Sequence, residues 1–224
     1  MAGRKHSRGT CAFCGTETTK GSMGKHLQSC EKLQETAANA KTGEPQELLQ
    51  LRVQDAYSKD FWLDLEMRAD APLKELDKYL RAIWLECCGH LSQFSTDGWD
   101  GKIAMKQKAG DAFAKSETLM HIYDFGTSSE TNVELRATRT GQPLTNRPIA
   151  LLARNKTPEE PCRDCGKPAT HLCMECIYEN NEPGFLCAEH VKDHPHDDYG
   201  EPIEIINSPR LGMCGYDGPA EPPY

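Results

Sequence analysis

Between Phe61 and Ala69 apolar and polar residues alternate: Phe61, Leu63, Leu65, Met67 and Ala69 fall on one face, with Trp62, Asp64, Glu66 and Arg68 on the other. A period of two over nine residues predicts a half-buried strand. Directly afterwards the period changes. Pro72 stands where a first helical turn would be, and Leu73, Leu76, Leu80, Ile83, Trp84 and Cys87 recur at three- and four-residue intervals up to Gly89. That pattern, with its start and stop signals, predicts an amphipathic helix. Further on, residues 119–125 and 132–138 alternate on either side of Gly-Thr-Ser-Ser-Glu-Thr and predict a hairpin, and 148–153 is a short continuous apolar run suited to a buried strand. The expected fold is α+β, with a small, largely antiparallel sheet and one main helix.

Outside this central stretch the apolar pattern thins. Residues 1–34 and 157–224 are too poor in apolar side chains to build cores of their own, and residues 35–52 read as a linker, polar and small with Gly43 and Pro45. The expected division is therefore a small unit at 1–34, a linker at 35–52, the α+β domain at 53–156 and a second small unit with a Gly- and Pro-rich tail at 157–224. Charge changes at the same places. The chain of 224 residues has a net charge of -8, but residues 1–34 hold six basic and two acidic residues, whereas 157–224 hold four and fourteen. A protein that coats nucleic acid through overall charge is excluded by this balance. No apolar run reaches membrane-spanning length and no signal-peptide pattern opens the chain, so the expected location is cytoplasmic.

Eleven cysteines in a reducing compartment point to metal rather than disulfides. Cys11 and Cys14 form a Cys-x-x-Cys knuckle, and His26 and Cys30 follow at helical i, i+4 spacing, so that two thiolates on a turn face an imidazole and a thiolate on one helix face. Ser22 is a candidate helix cap and Met23 and Leu27 a minimal core. The arrangement resembles a Cys-Cys-His-Cys finger of the ββα type. In the carboxy-terminal unit Cys162, Cys165, Cys173, Cys176, Cys187, His190, His194 and His196 fall within 35 residues. They are enough for two tetrahedral zinc ions, giving about three per chain with the finger. Cross-braced pairing puts Cys162, Cys165, Cys187 and His190 on one ion and Cys173, Cys176, His194 and His196 on the other, with His171, Asp197 or Cys214 as alternatives to His196. This part resembles the B-box and related cross-brace zinc modules, apart from a longer interval before Cys187 and the single residue between the last two histidines.

The unit running from Leu73 through Phe94, followed after a loop by Tyr123-Asp124-Phe125-Gly126 and an alternating strand, resembles the plasmid pRiA open-reading-frame-three-like family, known as a mobile-element passenger. The resemblance covers about residues 53–155; it implies the fold and no biochemical activity. The ending Asn-Ser-Pro-Arg-x-Gly-x-Cys-Gly-Tyr at 207–216 is similar to one carried by uncharacterised bacterial and archaeal proteins. Docking of that tail against the zinc module is the favoured expectation, and an exposed ligating Cys214 the alternative.

Three function classes follow. Closed sites rich in thiolate suit a structural role, so the first is a zinc-stabilised interaction or adaptor protein whose partner is another protein, basic or apolar in character to complement the acidic end. Next is a weak nucleic-acid binder acting through Arg4, Lys5, Arg8, Lys20 and Lys25. The third is a metal-dependent hydrolase using the histidines and carboxylates of 190–198, although HExxH, GxSxG and phosphate-binding loops are absent and no catalytic residue is assigned. Cys87, Cys88 and His90, at the end of the main helix, are read first as core and hydrogen-bonded structure, and otherwise as a further metal site or a Cys-His nucleophile pair.

Overall fold

The computed structural model describes residues 7–195 and 198–224. Among them are twelve strands and five α-helices, every strand pairing is antiparallel, and the class is α+β. None of the helices is long and apolar enough to cross a membrane.

A hairpin of β1 (Arg8–Cys11) and β2 (Glu17–Thr19) leads into α1 (Lys20–Ser29) and α2 (Glu31–Ala38). The central strands are β3 (Gln46–Asp55), β4 (Trp62–Arg68), β5 (Ser92–Asp97), β6 (Asp100–Ile103), β7 (Thr118–Tyr123), β8 (Ser129–Gly141) and β9 (Ile149–Asn155). All nine strands form one sheet in the order β2-β1-β9-β4-β3-β8-β7-β5-β6. Helix α3 (Leu73–Leu80) buries Leu73, Leu76, Tyr79 and Leu80, and α4 (Ala109–Phe113) buries Ala109, Ala112 and Phe113, all in the core on one face of the sheet. The carboxy-terminal unit has its own sheet, β11-β10-β12, built from β10 (His171–Leu172), β11 (Phe185–Leu186) and β12 (Ile203–Glu204), with α5 (Met174–Tyr178) beside it.

Four features differ from the expectations. Residues 46–52, read as linker, belong to β3, which lies between β4 and β8; Leu48, Leu49, Leu51 and Val53 are buried on both sides of the strand, which erases the alternation that would have marked it. Nor is β4 half-buried, since Trp62, Asp64 and Glu66 are covered as fully as Leu63, Leu65 and Met67. The buried polar face survives through pairing: Arg52 donates to Asp64 at 2.5 Å and Arg139 to Glu66 at 2.7 Å. The main helix loses its α-helical pitch after Leu80, passes through a π-helical turn at Arg81–Leu85 and ends there, short of Cys87. Glu86 leaves the helix with extended backbone, and its carboxylate takes hydrogen bonds from Arg81, Gly89 N and Tyr123 Oη. Finally, α1 is capped by Thr19, whose hydroxyl accepts from Ser22 N, and not by Ser22.

A second core lies on the opposite face of the sheet. There Cys11, Met23, Cys30 and Leu33 of the amino-terminal segment pack with Trp62, Leu144, Ala150, Leu152 and Ala153. Strand β1 pairs with β9 through Gly9–Asn155, Thr10–Arg154 and Cys11–Ala153. The segment therefore shares both a backbone ladder and an apolar core with the central sheet.

The tail also departs from expectation. Its first part pairs within the carboxy-terminal unit, β12 opposite β10 with Ile205 N donating to Thr170 O at 2.9 Å, and Gly212 stands against Met174 of α5. Beyond β12 the chain docks on the central domain: Ser208 Oγ donates to Trp84 O at 2.6 Å, Asn155 Nδ2 to Asn207 Oδ1 at 2.7 Å, and Arg154 to the carbonyls of Asn207 and Ala220 at 2.7 and 2.8 Å. Asn207 and Ser208 thus satisfy polar groups that the apolar pattern alone left without partners.

Candidate metal centres

All eleven cysteines are free, and eight of them gather with histidines in three clusters besides a further group near the main helix. In the amino-terminal cluster, the knuckle Cys11-Ala12-Phe13-Cys14 turns back on itself as Gly15 N donates to Cys11 O and Cys11 N to Thr16 O, both at 3.0 Å. Gly15 has φ +72°, and Gly166, which follows the second Cys of Cys162-Arg163-Asp164-Cys165, has the same value with the same bond, Gly166 N to Cys162 O at 2.9 Å. A side chain in that left-handed region would be strained, so glycine is the residue that closes each knuckle. Ala12 N donates to Leu152 O at 2.9 Å, which pins the knuckle to β9.

Cys14 Sγ lies 3.2 Å from His26 Nε2 and Cys11 Sγ 3.9 Å from Cys30 Sγ; the four ligand atoms are all within 4.8 Å of one another. Hydrogen bonds from the Thr16 side chain and backbone lower the Cys14 thiol to about 6, whereas burial raises Cys11 to about 11. Without a cation the buried thiol keeps its proton. A metal at the centre would supply the charge that lets it ionise.

The carboxy-terminal unit holds two groups. Cys162, Cys165, Cys187 and His190 form one, with Cys162 Sγ to His190 Nδ1 at 3.3 Å and Cys165 Sγ to Cys187 Sγ at 3.8 Å. Cys173, Cys176 and His194 form the other, with Cys176 Sγ to His194 Nε2 at 3.3 Å. His196 and Asp197 lie outside the described residues. The pairs interleave along the chain, first with third and second with fourth. Arg163 spans them, standing on the first knuckle and donating to Cys176 Sγ at 3.0 Å. The Cys162 thiol, despite burial that works to raise it, is brought down to about 6 by His190 and backbone N–H groups, while burial lifts Cys176 to about 11. Each group could hold a metal ion.

Of the suggested alternatives to His196, His171 is on β10 with Nδ1 at 2.8 Å from Thr170 Oγ1, outside both groups, and Cys214 is against the central domain, 3.7 Å from Asp124 Oδ2. The cations considered for nucleic acid are partly engaged. Lys20 donates to Gln54 Oε1 and Lys59 O, each at 2.9 Å, and Arg8 to Glu17 O at 3.2 Å, while Lys25 is exposed; Arg4 and Lys5 lie outside the described residues. His190 and His194, which the hydrolase reading would place in one open site, belong to different groups. What spacing could not reveal is the group formed by His90, Asp124 and Cys214, which come from three distant segments.

No protein-family model matches the chain, and neither does any curated protein. Among solved structures, the chain is similar to a crystal structure of a protein of unknown function, MM3350 from Methanosarcina mazei Go1, with 17% identity and a TM-score of 0.41 over 49% of this chain and 71% of that one.

Proposed function

We propose that this is a zinc-stabilised interaction protein, in which about three zinc ions are structural and the acidic carboxy-terminal module receives a protein partner. The observation that carries the reading is the form of the clusters. Zinc–sulfur and zinc–nitrogen bonds of about 2.3 and 2.0 Å put tetrahedral ligand atoms roughly 3.3 to 3.8 Å apart, close to the spacings of 3.2 and 3.9 Å in the amino-terminal cluster and 3.3 and 3.8 Å in the Cys162 group. Two complete sets of three thiolates and one imidazole offer no open coordination position, which suits scaffolding and not catalysis. In this reading His196 completes the third set.

The partner surface we assign is on the module. Tyr178 and Tyr199 are exposed, with ring centroids 6.2 Å apart, and Glu175, Glu179 and Asp198 stand around them. An aromatic pair within an acidic surface complements a basic or apolar segment and repels phosphate. The central domain is, in the same proposal, of the plasmid pRiA open-reading-frame-three-like kind.

The test has two arms. Protein purified without chelator is expected to keep about three zinc ions through a brief, mild chelator wash; retention of one or none would overturn the structural-zinc reading. Cross-linking in lysate should capture a protein whose binding is lost when Tyr178 and Tyr199 are both replaced by alanine at unchanged zinc content. Capture of nucleic acid in its place, abolished by Lys25→Glu, would overturn the interaction reading.

A further inference from the structure

Three stretches that the clusters above leave unused meet on the central domain. Cys87, Cys88 and His90 follow the π-helical turn, Asp124 follows β7, and Cys214 lies in the docked tail. Their ligand atoms form two overlapping groups, Cys87–Cys88–His90 and His90–Asp124–Cys214, each within 4.8 Å and with His90 in common. Cys88 Sγ is 2.8 Å from His90 Nε2, Asp124 Oδ2 is 3.5 Å from the same nitrogen, and Cys214 Sγ is 3.7 Å from Asp124 Oδ2.

That geometry decides between two chemistries. A thiol–imidazole–carboxylate relay needs its two partners on opposite ring nitrogens, so that the carboxylate can steady the ring while the thiol passes its proton. Here sulfur and oxygen converge on one nitrogen, which is what ligands of a shared cation do.

The surroundings hold this convergence in place. Arg210 is fully buried; its guanidinium donates to Asp124 Oδ2 at 2.7 Å and to Thr127 O and Ser129 Oγ at 2.9 Å, and stands 3.5 Å from Cys214 Sγ. Asp124 and Cys214 have φ of +64° and +51°, two of the three non-glycine residues with positive φ among the described residues. Backbone held against its preference at two members of one cluster is typical of a site that needs particular side chains there. Charge also closes: one carboxylate and two thiolates are balanced by the Arg210 guanidinium together with a divalent cation.

We propose that His90, Asp124 and Cys214 hold an additional divalent transition-metal ion of the zinc class, with Cys88, 2.8 Å from the shared His90, turning in as the fourth donor; the site is separate from the three clusters already described and independent of the interaction reading. The nitrogen, oxygen and sulfur donors form a mixed set. Cys88 and Cys214 are exposed, so this ion exchanges with solvent faster than the others.

Titration of the full-length protein with Co²⁺ tests it. Wild type is expected to take up about one equivalent more than His90→Ala, Cys88→Ser or Cys214→Ser, with cobalt–thiolate absorption at that step, and to lose that equivalent first to chelator. Cys88 is an exposed position, so Cys88→Ser keeps the test meaningful if Cys214→Ser disturbs tail docking. The structural clusters are read separately through Cys14→Ser and Cys173→Ser; their failure to bind metal would lower the total and leave the difference between wild type and His90→Ala intact. Equal metal uptake by wild type, His90→Ala and Cys88→Ser, with all three folded, would overturn the proposal.

Discussion

The amino-terminal cluster and the Cys162 group of the carboxy-terminal unit use the same knuckle, with the same glycine turn, yet the two ends of the chain stand in opposite mechanical situations. At the amino-terminal end, β1 is hydrogen-bonded to β9, and Met23, Leu33 and the candidate ligands Cys11 and Cys30 pack against Trp62, Ala150 and Leu152 of the sheet. The other end has a buried apolar cluster of Cys173, Cys176 and Leu186, with Val191 beside it, and its strands are two residues long. In that cluster two of the three buried members are themselves candidate ligands. Ligand spacing thus tells where a metal can sit but not how much of the fold depends on it, because that is set by what else holds the backbone.

Metal removal should separate the two regions most strongly. Structural zinc in small modules contributes on the order of 10–16 kcal/mol of apparent binding free energy, nearly all of it folding energy where no other core exists. With strong chelator, the amides of Cys173 and Thr170, which donate to Gly184 O and Leu186 O, should lose hydrogen-exchange protection, while those of the β1–β9 ladder keep much of theirs. If the β1 amides open first, the contrast is reversed and the sheet does not support the finger.

A smaller effect is expected from breaking that support directly. The indole of Trp62 is fully buried between finger and sheet, its Nε1 donates to Ser7 Oγ at 2.9 Å, and the Arg52 guanidinium stacks on the ring at 4.9 Å. Trp62→Ala should cost about 3–5 kcal/mol in denaturant unfolding. It should also make the amino-terminal cluster as sensitive to chelator as the carboxy-terminal ones. A variant that is destabilised but retains its finger metal at wild-type chelator concentrations would show that the two are not coupled.

The smallest effect belongs to an ion pair between β2 and the segment after β9. Lys156 Nζ and Glu17 Oε1 are 2.9 Å apart, but both side chains are about half exposed. Lys156→Ala should change stability by less than about 1 kcal/mol and leave metal retention untouched. A larger loss would mean that charge, more than the shared core, ties finger to sheet.

Legibility in the sequence follows the same division between local and distant information. The ligand clusters declared themselves because Cys11 with Cys14, or Cys162 with Cys165, are neighbours in the chain. The helix at Leu73 and the hairpin around residue 126 were visible for the same reason, since one amphipathic period suffices. Strand β3 was hidden because Arg52 is buried by pairing with Asp64 twelve residues away, so a charged residue stands where a pattern reader expects solvent. The place of Arg210 was hidden more deeply: its partners Asp124 and Ser129 are more than eighty residues earlier, and no period links them.

Because the finger occupies the flank of β9, it also determines where the sheet ends. The outermost strands are β2, three residues including Glu17, and β6, four residues including Asp100 and Lys102. Short, charged margins of this kind discourage pairing with another chain. Were the finger to detach, the margin would become β9, seven residues that run Ile-Ala-Leu-Leu-Ala before their first charge at Arg154. A long apolar strand with open hydrogen-bonding groups is a template for aggregation. Loss of the β1–β9 pairing, more than loss of metal alone, would then be felt as concentration-dependent self-association of an otherwise folded protein, and solubility, more than melting temperature, would register it.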